Sequence, residues 1–172
     1  TFQQGIAIIE SMGFVPVFDR RLFEKNGSFA GTDLHRADQV NRFFADPEIK
    51  AVFCARGWFG AMRILPLLDF ESIQKNPKSL IGFSDITALH AAISGRCNLV
   101  SFHGPTVTTL SKATETALNS LYSVIASDHV PTIKPKNGLT LQGGSAQGLV
   151  AGGTLTTLCH LVGTPFQPNI DG

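Results

Sequence analysis

The residues best suited to catalysis by type and position are Ser84 and Asp85, which follow the short apolar run 80–83 and precede a helical pattern. A serine at a strand-to-helix turn exposes its hydroxyl group at the carboxyl end of the sheet, where open α/β folds place their sites. The backbone N–H of the next residue then lies at a helix N-terminus, where partial positive charge can stabilise an oxyanion. The pattern therefore predicts Ser84 as a nucleophile and the Asp85 N–H as an oxyanion donor.

A helix cap is the alternative role for these two residues. Serine and aspartate frequently occupy the N-cap position, where the side chain accepts a hydrogen bond from the first helical turn. The sequence also departs from the Gly-x-Ser-x-Gly motif of serine hydrolases, because Ile86 stands at the position of the second glycine. The local pattern alone leaves both roles open.

A second candidate site loop runs from Arg56 to Gly60 and has the sequence Arg-Gly-Trp-Phe-Gly. It also follows a strand pattern and precedes a helix, so in a parallel sheet it lies at the same edge as Ser84. Glycines let backbone N–H groups approach a ligand closely, as an oxyanion or carboxylate site requires. The alternative is a tight turn in which Trp58 is simply a surface hydrophobic residue.

Histidine is the third component at this edge, because a further strand pattern ends at His103. A local triad of Ser84, His103 and Asp85 would require Asp85 to reach past its neighbour to orient the histidine. His90 lies six residues after Ser84, off its helical face, and is predicted to be an ordinary helix residue. No metal site is predicted, since the other histidines lack ligand spacing.

The elements that must position these residues alternate between strand and helix over residues 1–127. Strands are predicted at 14–18, 49–55, 79–83 and 99–102. Helices are predicted at 1–12, 33–44, 61–68, 85–94 and 112–127. This alternation predicts the α/β class, a parallel sheet with helices on both faces.

The composition changes after Asp128, where prolines and glycine pairs separate short strand-like runs at 132–134, 139–142 and 147–151. A last helix is predicted at 154–162. We therefore expect an α/β nucleophile domain at 1–127, followed at 128–172 by a linker and the start of a β-rich domain. A long excursion that rejoins the first domain is the alternative.

Charge and cysteine content exclude several classes of function. The 172 residues carry 14 Lys and Arg against 13 Asp and Glu, a formal net charge of +1. Binding to nucleic acids or anionic membranes requires a basic excess on some face, so neither partner is expected. The 3 widely spaced cysteines fit neither a disulfide framework nor a zinc site and indicate a cytoplasmic protein.

Longer motifs extend the pattern around these sites. In chain order they are Arg56-Gly57-x-Phe59-Gly60-Ala61-x-Arg63-Ile64-Leu65-Pro66-x-Leu68-Asp69, Ile81-Gly82-Phe83-Ser84-Asp85-Ile86-Thr87-Ala88-Leu89-His90, Phe102-His103-Gly104-Pro105 and 148–165. In order and approximate spacing, over nearly the whole chain, they resemble the LD-carboxypeptidases. These are also called muramoyltetrapeptide carboxypeptidases, and the microcin C self-immunity proteins belong with them.

The resemblance implies a flavodoxin- or amidotransferase-like α/β domain followed by a β-rich domain. Ser84 matches the nucleophile of the family's Ser-Glu-His triad, and the Asp85 N–H matches one oxyanion donor. An N–H of the turn at Gly57 and Trp58 resembles the other donor. The family's opening strand would precede this chain, and its Glu and His would follow it, so the chain is expected to be truncated at both ends.

The implied reaction is release of the terminal D-Ala from a murein tetrapeptide, at the bond between the L-centre of the diamino acid and D-Ala. An acyl-enzyme would form at Ser84, with no metal or organic cofactor. The setting would be cytoplasmic cell-wall recycling, and a homodimer is expected. Arg56 and His103 are candidate substrate-binding residues. Without the Glu and His, the chain alone is expected to be essentially inactive.

The sequence departs from the family pattern in two places. The family usually has Arg-Gly-Gly-Tyr-Gly where this chain has Trp58 and Phe59, and Asn where it has Thr154. Trp58 adds a large ring beside the proposed oxyanion site. Two alternative functions remain: hydrolysis of a peptide–nucleotide antibiotic of the microcin C type, and non-catalytic binding of a ligand that carries a carboxylate.

Overall fold

The fold is described from a computed structural model, which covers residues 1–127, 132 and 138–168. The helices are α1 Phe2–Ser11, α2 Asp33–Ala45, α3 Ala61–Ile64, α4 Phe70–Lys75, α5 Thr87–Cys97, α6 Val107–Leu110, α7 Glu115–Ala126 and α8 Leu155–Leu161. The strands are β1 Ala51–Phe53, β2 Ser79–Gly82 and β3 Phe102–His103. Short 3-10 turns occupy Arg20–Phe23, Leu65–Leu67 and Ser84–Ile86.

The described strands form one parallel sheet in the order β1-β2-β3. Val52 pairs with Leu80 across β1 and β2, and Ile81 pairs with Phe102 across β2 and β3. Because all strands run in the same direction, their carboxyl ends meet at one edge of the sheet. The predicted α/β class with a parallel sheet is confirmed.

Both faces of the sheet are covered by helices. On β2, the buried side chain of Leu80 packs with α2, α4 and α5, whereas that of the next residue, Ile81, packs with α1, α6 and α7. Successive side chains of a strand point to opposite faces, so an apolar run such as 80–81 requires cover on both sides. The strand that leads to Ser84 is thus the buried centre of the described sheet.

Three strand predictions are wrong. Residues 14–18 contain no strand, and Val15 is 88% exposed. The runs 139–142 and 147–151 also contain no strand, and their apolar side chains are exposed. The run 132–134 lies largely outside the described residues. Apolar composition alone does not form a strand, since the backbone needs a hydrogen-bonding partner.

Helix α8 packs against the α/β core. Leu161 is fully buried in the same cluster as Leu80, and Arg96 of α5 donates a hydrogen bond to the Pro165 carbonyl at 3.0 Å. The Thr154 N–H also donates to Thr87 Oγ1 at 3.0 Å. The division of the chain at residue 127 stays a prediction. None of the described helices is both long and apolar enough to cross a membrane.

Leu161→Ala is expected to lower the free energy of unfolding by about 2–5 kcal/mol, because truncating a buried leucine loses apolar burial and leaves a cavity. Leu155→Ala is the matched control on the same helix, since Leu155 is 73% exposed. Its effect should stay within about 0.5 kcal/mol. Urea unfolding measures both variants, and equally small effects would contradict the docking of α8 on this core.

Candidate active site

Ser84 lies at a strained turn between β2 and α5. Its φ of +64° is in the left-handed region, which among the described non-glycine residues is shared only by Asn98 at the end of α5. For a residue with a Cβ this conformation costs about 1–2 kcal/mol. A serine in strained backbone at a strand-to-helix turn is typical of a nucleophile elbow. The Ser84 side chain does not cap the 3-10 turn Ser84–Ile86, because Phe83 is the N-cap residue of that turn.

The turn at 56–60 comes into close contact with Ser84 through Gly57. A Cβ on Gly57 would lie 3.0 Å from the Phe83 carbonyl oxygen and 3.1 Å from Ser84 Cβ. A side chain at this position would require Phe83 or Ser84 to shift by a few tenths of an ångström, and glycine avoids this. Arg56, Gly57 and Trp58 therefore line one pocket with Ser84, of about 230 Å³.

Trp58 is 69% exposed at this pocket, and the guanidinium carbon of Arg56 lies 4.9 Å from its ring centroid. A cation at this distance from an indole face is attracted to it. Trp58 is therefore a surface residue, as one of the two alternatives predicts, and it also lines the pocket. The pocket rim thus combines one exposed aromatic ring with one positive charge.

The third wall of the pocket consists of threonines that the sequence analysis missed: Thr106, Thr108 and Thr109. After β3, the Gly104 N–H donates to the Gly82 carbonyl at 3.0 Å, and the N–H groups of residues 107 and 108 then donate to the carbonyls of Cys54 and Ala55, which directly follow β1. The chain therefore crosses the carboxyl ends of β2 and β1 beside Ser84. The sequence carries a signal for them, since these threonines follow closely on the fourth predicted strand, 99–102.

The backbone N–H groups predicted as oxyanion donors have no hydrogen-bond acceptor among the described residues. This holds for Asp85, Gly57 and Trp58. An unpaired N–H needs a water or ligand partner. These donors are thus free to bind a ligand beside Ser84.

The local triad of Ser84, His103 and Asp85 is not assembled. Asp85 Oδ2 instead accepts a hydrogen bond from the Ala61 N–H at 2.7 Å. His103 contacts the Phe83 ring at a centroid distance of 6.4 Å and lines a neighbouring pocket of about 360 Å³ with Lys112. Within the described part of the chain, no hydrogen bond connects the three residues.

His90 lies beneath the elbow and is more than an ordinary helix residue. Its Nε2 is 2.9 Å from the Gly82 carbonyl oxygen and its Nδ1 is 2.8 Å from Ser101 Oγ. A carbonyl can only accept, so Nε2 carries the proton and Nδ1 accepts from the serine hydroxyl. Burial is the main cause that lowers the pKa of His90, and the nearby His103 lowers it further, while the bond to Gly82 opposes this.

Ser84→Gly is expected to be more stable than Ser84→Ala by about 1 kcal/mol, because both remove the hydroxyl group and only glycine relieves the positive φ. Ser94, exposed within α5, provides the matched pair. There the alanine variant should be the more stable one by about 1 kcal/mol. Chemical denaturation of the four variants measures both differences, and the same order at both positions would contradict the strain at Ser84.

Acidification is expected to destabilise the protein through His90. Because the folded-state pKa of His90 lies below its ordinary value of 6.5, the unfolded chain binds the proton first as the pH falls through 6.5. The stability that is present above this pH is therefore lost progressively over the pH range below it. His90→Gln cannot titrate and should lose less stability over the same range, as measured by urea unfolding at each pH. A variant with the wild-type pH dependence would contradict this assignment.

Comparisons with known proteins identify the family to which this chain belongs. A family model for the LD-carboxypeptidase N-terminal domain matches residues 1–104. The probable murein peptide carboxypeptidase of Bacillus subtilis (strain 168) is 34% identical over 98% of this chain and 54% of that protein. The microcin C7 self-immunity protein MccF of Escherichia coli is 27% identical over 98% of this chain and 59% of its own.

The solved structures give the same result for the fold. The muramoyltetrapeptide carboxypeptidase from Oxalobacter formigenes has a TM-score of 0.84 at 29% identity, over 99% of this chain and 58% of that one. The chain spans about half the length of the curated relatives it matches. The resemblance inferred from the motifs is confirmed, and the chain belongs to the LD-carboxypeptidase family.

Proposed function

We propose that the full-length protein is a serine carboxypeptidase that releases the terminal D-Ala from murein tetrapeptides, with Ser84 as nucleophile. The observation that carries this proposal is the strained elbow of Ser84, with free N–H groups on both sides of it. Strain at a position that no packing requirement explains is commonly retained for function. The carboxypeptidase class follows from the family, and the serine mechanism is the proposed part.

The proposed chemistry begins with attack of Ser84 Oγ on the carbonyl carbon of the scissile peptide bond, while a base accepts the hydroxyl proton. The tetrahedral oxyanion accepts hydrogen bonds from the Asp85 N–H and from an N–H of Gly57 or Trp58. Its collapse breaks the C–N bond, and the same proton passes to the departing amine of D-Ala. Water then hydrolyses the acyl-enzyme and regenerates the serine.

We assign the base and its carboxylate partner to a part of the full-length protein other than the described residues. Among the described residues, no histidine or carboxylate forms a hydrogen bond with Ser84 Oγ. The pocket at the elbow is open to solvent, which leaves room for side chains from another segment. A Ser-Glu-His triad assembled in this way is the arrangement that the family resemblance implies.

Substrate recognition is proposed to involve Arg56 and His103. Arg56 carries the positive charge at the pocket rim, where it can pair with the terminal carboxylate of the peptide. His103 lines the neighbouring pocket, which shares Phe83 and Thr109 with the first. A peptide that extends from one pocket to the other would thus pass Ser84. The names of the relatives, murein peptide carboxypeptidase and muramoyltetrapeptide carboxypeptidase, support this substrate class.

Hydrolysis of a peptide–nucleotide antibiotic is the second candidate function. The observation that favours it is the exposed ring of Trp58, because a nucleobase can stack on such a platform. The similarity to a microcin C7 self-immunity protein supports the same class. Both candidates use the same nucleophile and differ only in what the rim recognises.

The test is an assay of D-Ala release from a muramyl tetrapeptide by the full-length protein. Ser84→Ala is expected to lower kcat by about a thousandfold or more, since removing the nucleophile leaves only oxyanion stabilisation and binding. Ser94→Ala, which removes an exposed hydroxyl on α5, should retain the wild-type rate. Residues 1–172 alone should be as slow as Ser84→Ala.

Three outcomes would change the proposal. Release of D-Ala by both the wild type and Ser84→Ala would exclude Ser84 as nucleophile. Cleavage of an adenylated peptide but not of the tetrapeptide would favour the antibiotic hydrolase. Binding of either compound by the folded protein without turnover would favour the non-catalytic function.

A further inference from the structure

A single peptide group, between Gly60 and Ala61, is held at both ends by charged side chains. Its carbonyl oxygen accepts a hydrogen bond from Arg36 Nη1 at 3.0 Å. Its N–H donates to Asp85 Oδ2 at 2.7 Å. Because a peptide group is planar, fixing its oxygen and its nitrogen fixes the orientation of the whole plane. This plane ends the turn at 56–60 that contains the proposed oxyanion donors.

Arg36 is itself held in place by Asp33. The Arg36 guanidinium pairs with the Asp33 carboxylate, and Arg63 binds that carboxylate through Nε at 2.9 Å and Nη2 at 2.6 Å. Hydrogen bonding to Arg63, followed by that to Arg36, lowers the pKa of Asp33. The planar guanidinium of Arg36 thus bridges an acid on α2 and a carbonyl in the turn, which a single ammonium group cannot do with the same geometry.

Phe29 attaches the same turn to α2 and α3 by packing. The guanidinium carbons of Arg36 and Arg63 each lie 5.1 Å from its ring centroid. The ring also stacks on Phe59 at 5.7 Å. Gly60, with a φ of +109°, lies so close that a Cβ there would be 2.8 Å from the Phe29 ring. The last two residues of the turn are therefore fixed by side chains that lie outside the site.

The burial of Arg36 is not explained by stability alone. Its side chain is only 16% exposed, and its Nε is buried without a hydrogen-bond partner among the described residues. A buried N–H without an acceptor destabilises the folded state. The geometry keeps the guanidinium in this place despite that cost, with Nη1 directed at the turn.

We infer that Arg36, oriented by Asp33, is a positioning residue for the oxyanion site. It fixes the Gly60–Ala61 peptide, and this in turn sets the N–H groups of Gly57 and Trp58 relative to Ser84. The expected effect of Arg36 on kcat rests on the proposed function. Its expected effect on the conformation of the turn rests on the structure alone. Donors that act on the transition state influence kcat rather than substrate binding.

The first test is hydrogen–deuterium exchange of the full-length protein, followed at the Ala61 and Arg63 N–H groups, which donate to Asp85 Oδ2 and to the Gly60 carbonyl. Arg36→Gln is expected to raise exchange at these two groups by about tenfold, since the end of the turn opens locally. Arg42→Gln is the matched control, because Arg42 is an arginine of the same helix that pairs with Asp19 at 3.8 Å and Asp38 at 3.9 Å, outside this network. It should leave exchange at the two N–H groups unchanged. Arg36→Lys keeps the charge, and it carries the test if Arg36→Gln fails to fold.

Unchanged exchange at the Ala61 and Arg63 N–H groups in a folded Arg36 variant would overturn the inference. A uniform rise over the whole chain would overturn it too, because that would indicate a general stabilising role. A rise confined to these two N–H groups supports it.

The second test is kinetic. Arg36→Gln and Arg36→Lys are expected to lower kcat by about 10–100-fold with KM changed by less than about threefold, because a small displacement of the donors weakens transition-state binding. A raised KM with unchanged kcat would contradict the positioning role. If the wild type releases no D-Ala from any substrate, the proposed function fails, whereas the exchange experiment still decides whether Arg36 holds the turn.

Discussion

The left-handed backbone of Ser84 is the constraint on which the rest of this structure depends. This conformation is unfavourable for a serine, so interactions of the residues on both sides must offset its free-energy cost. Before Ser84, the Gly82 carbonyl accepts hydrogen bonds from both Gly104 and His90. After it, α5 is buried along most of its length. The elbow is therefore held between the central strand and a buried helix.

The same support explains why polar groups are buried around an otherwise apolar core. Burial lowers the pKa of His90 and so favours its neutral form, and a neutral imidazole can bridge the Gly82 carbonyl and Ser101 at little electrostatic cost. Asp85 likewise uses its carboxylate to hold the turn at Ala61 rather than to orient a histidine. Each of these side chains fixes backbone near Ser84, and neither contacts its hydroxyl group through a hydrogen bond.

The sequence predicted what depends on local patterns and missed what depends on distant partners. The predicted strands 79–83 and 99–102 correspond to β2 at Ser79–Gly82 and β3 at Phe102–His103, and the predicted turn at Ser84 follows β2. The contact of Arg36 with Gly60 joins residues 24 positions apart and leaves no periodic signal. The exposed run 139–142 shows the opposite error, because its composition predicts a strand and no described strand pairs with it.

Under the proposed function, oxyanion stabilisation and proton transfer have different structural requirements, and different parts of the protein can meet them. An oxyanion site needs backbone N–H groups fixed within a fraction of an ångström, and a sheet edge with buried helices and cross-linked turns provides that rigidity. Proton transfer needs a side chain of suitable pKa within hydrogen-bonding distance, which a separate segment can supply to an open pocket. The described residues meet the first requirement at Ser84, Asp85 and Gly57, and the network at Arg36 extends it to the far end of the turn. Replacing the base and displacing the turn should therefore have separable effects, the first on the protonation steps and the second on stabilisation of the tetrahedral oxyanion.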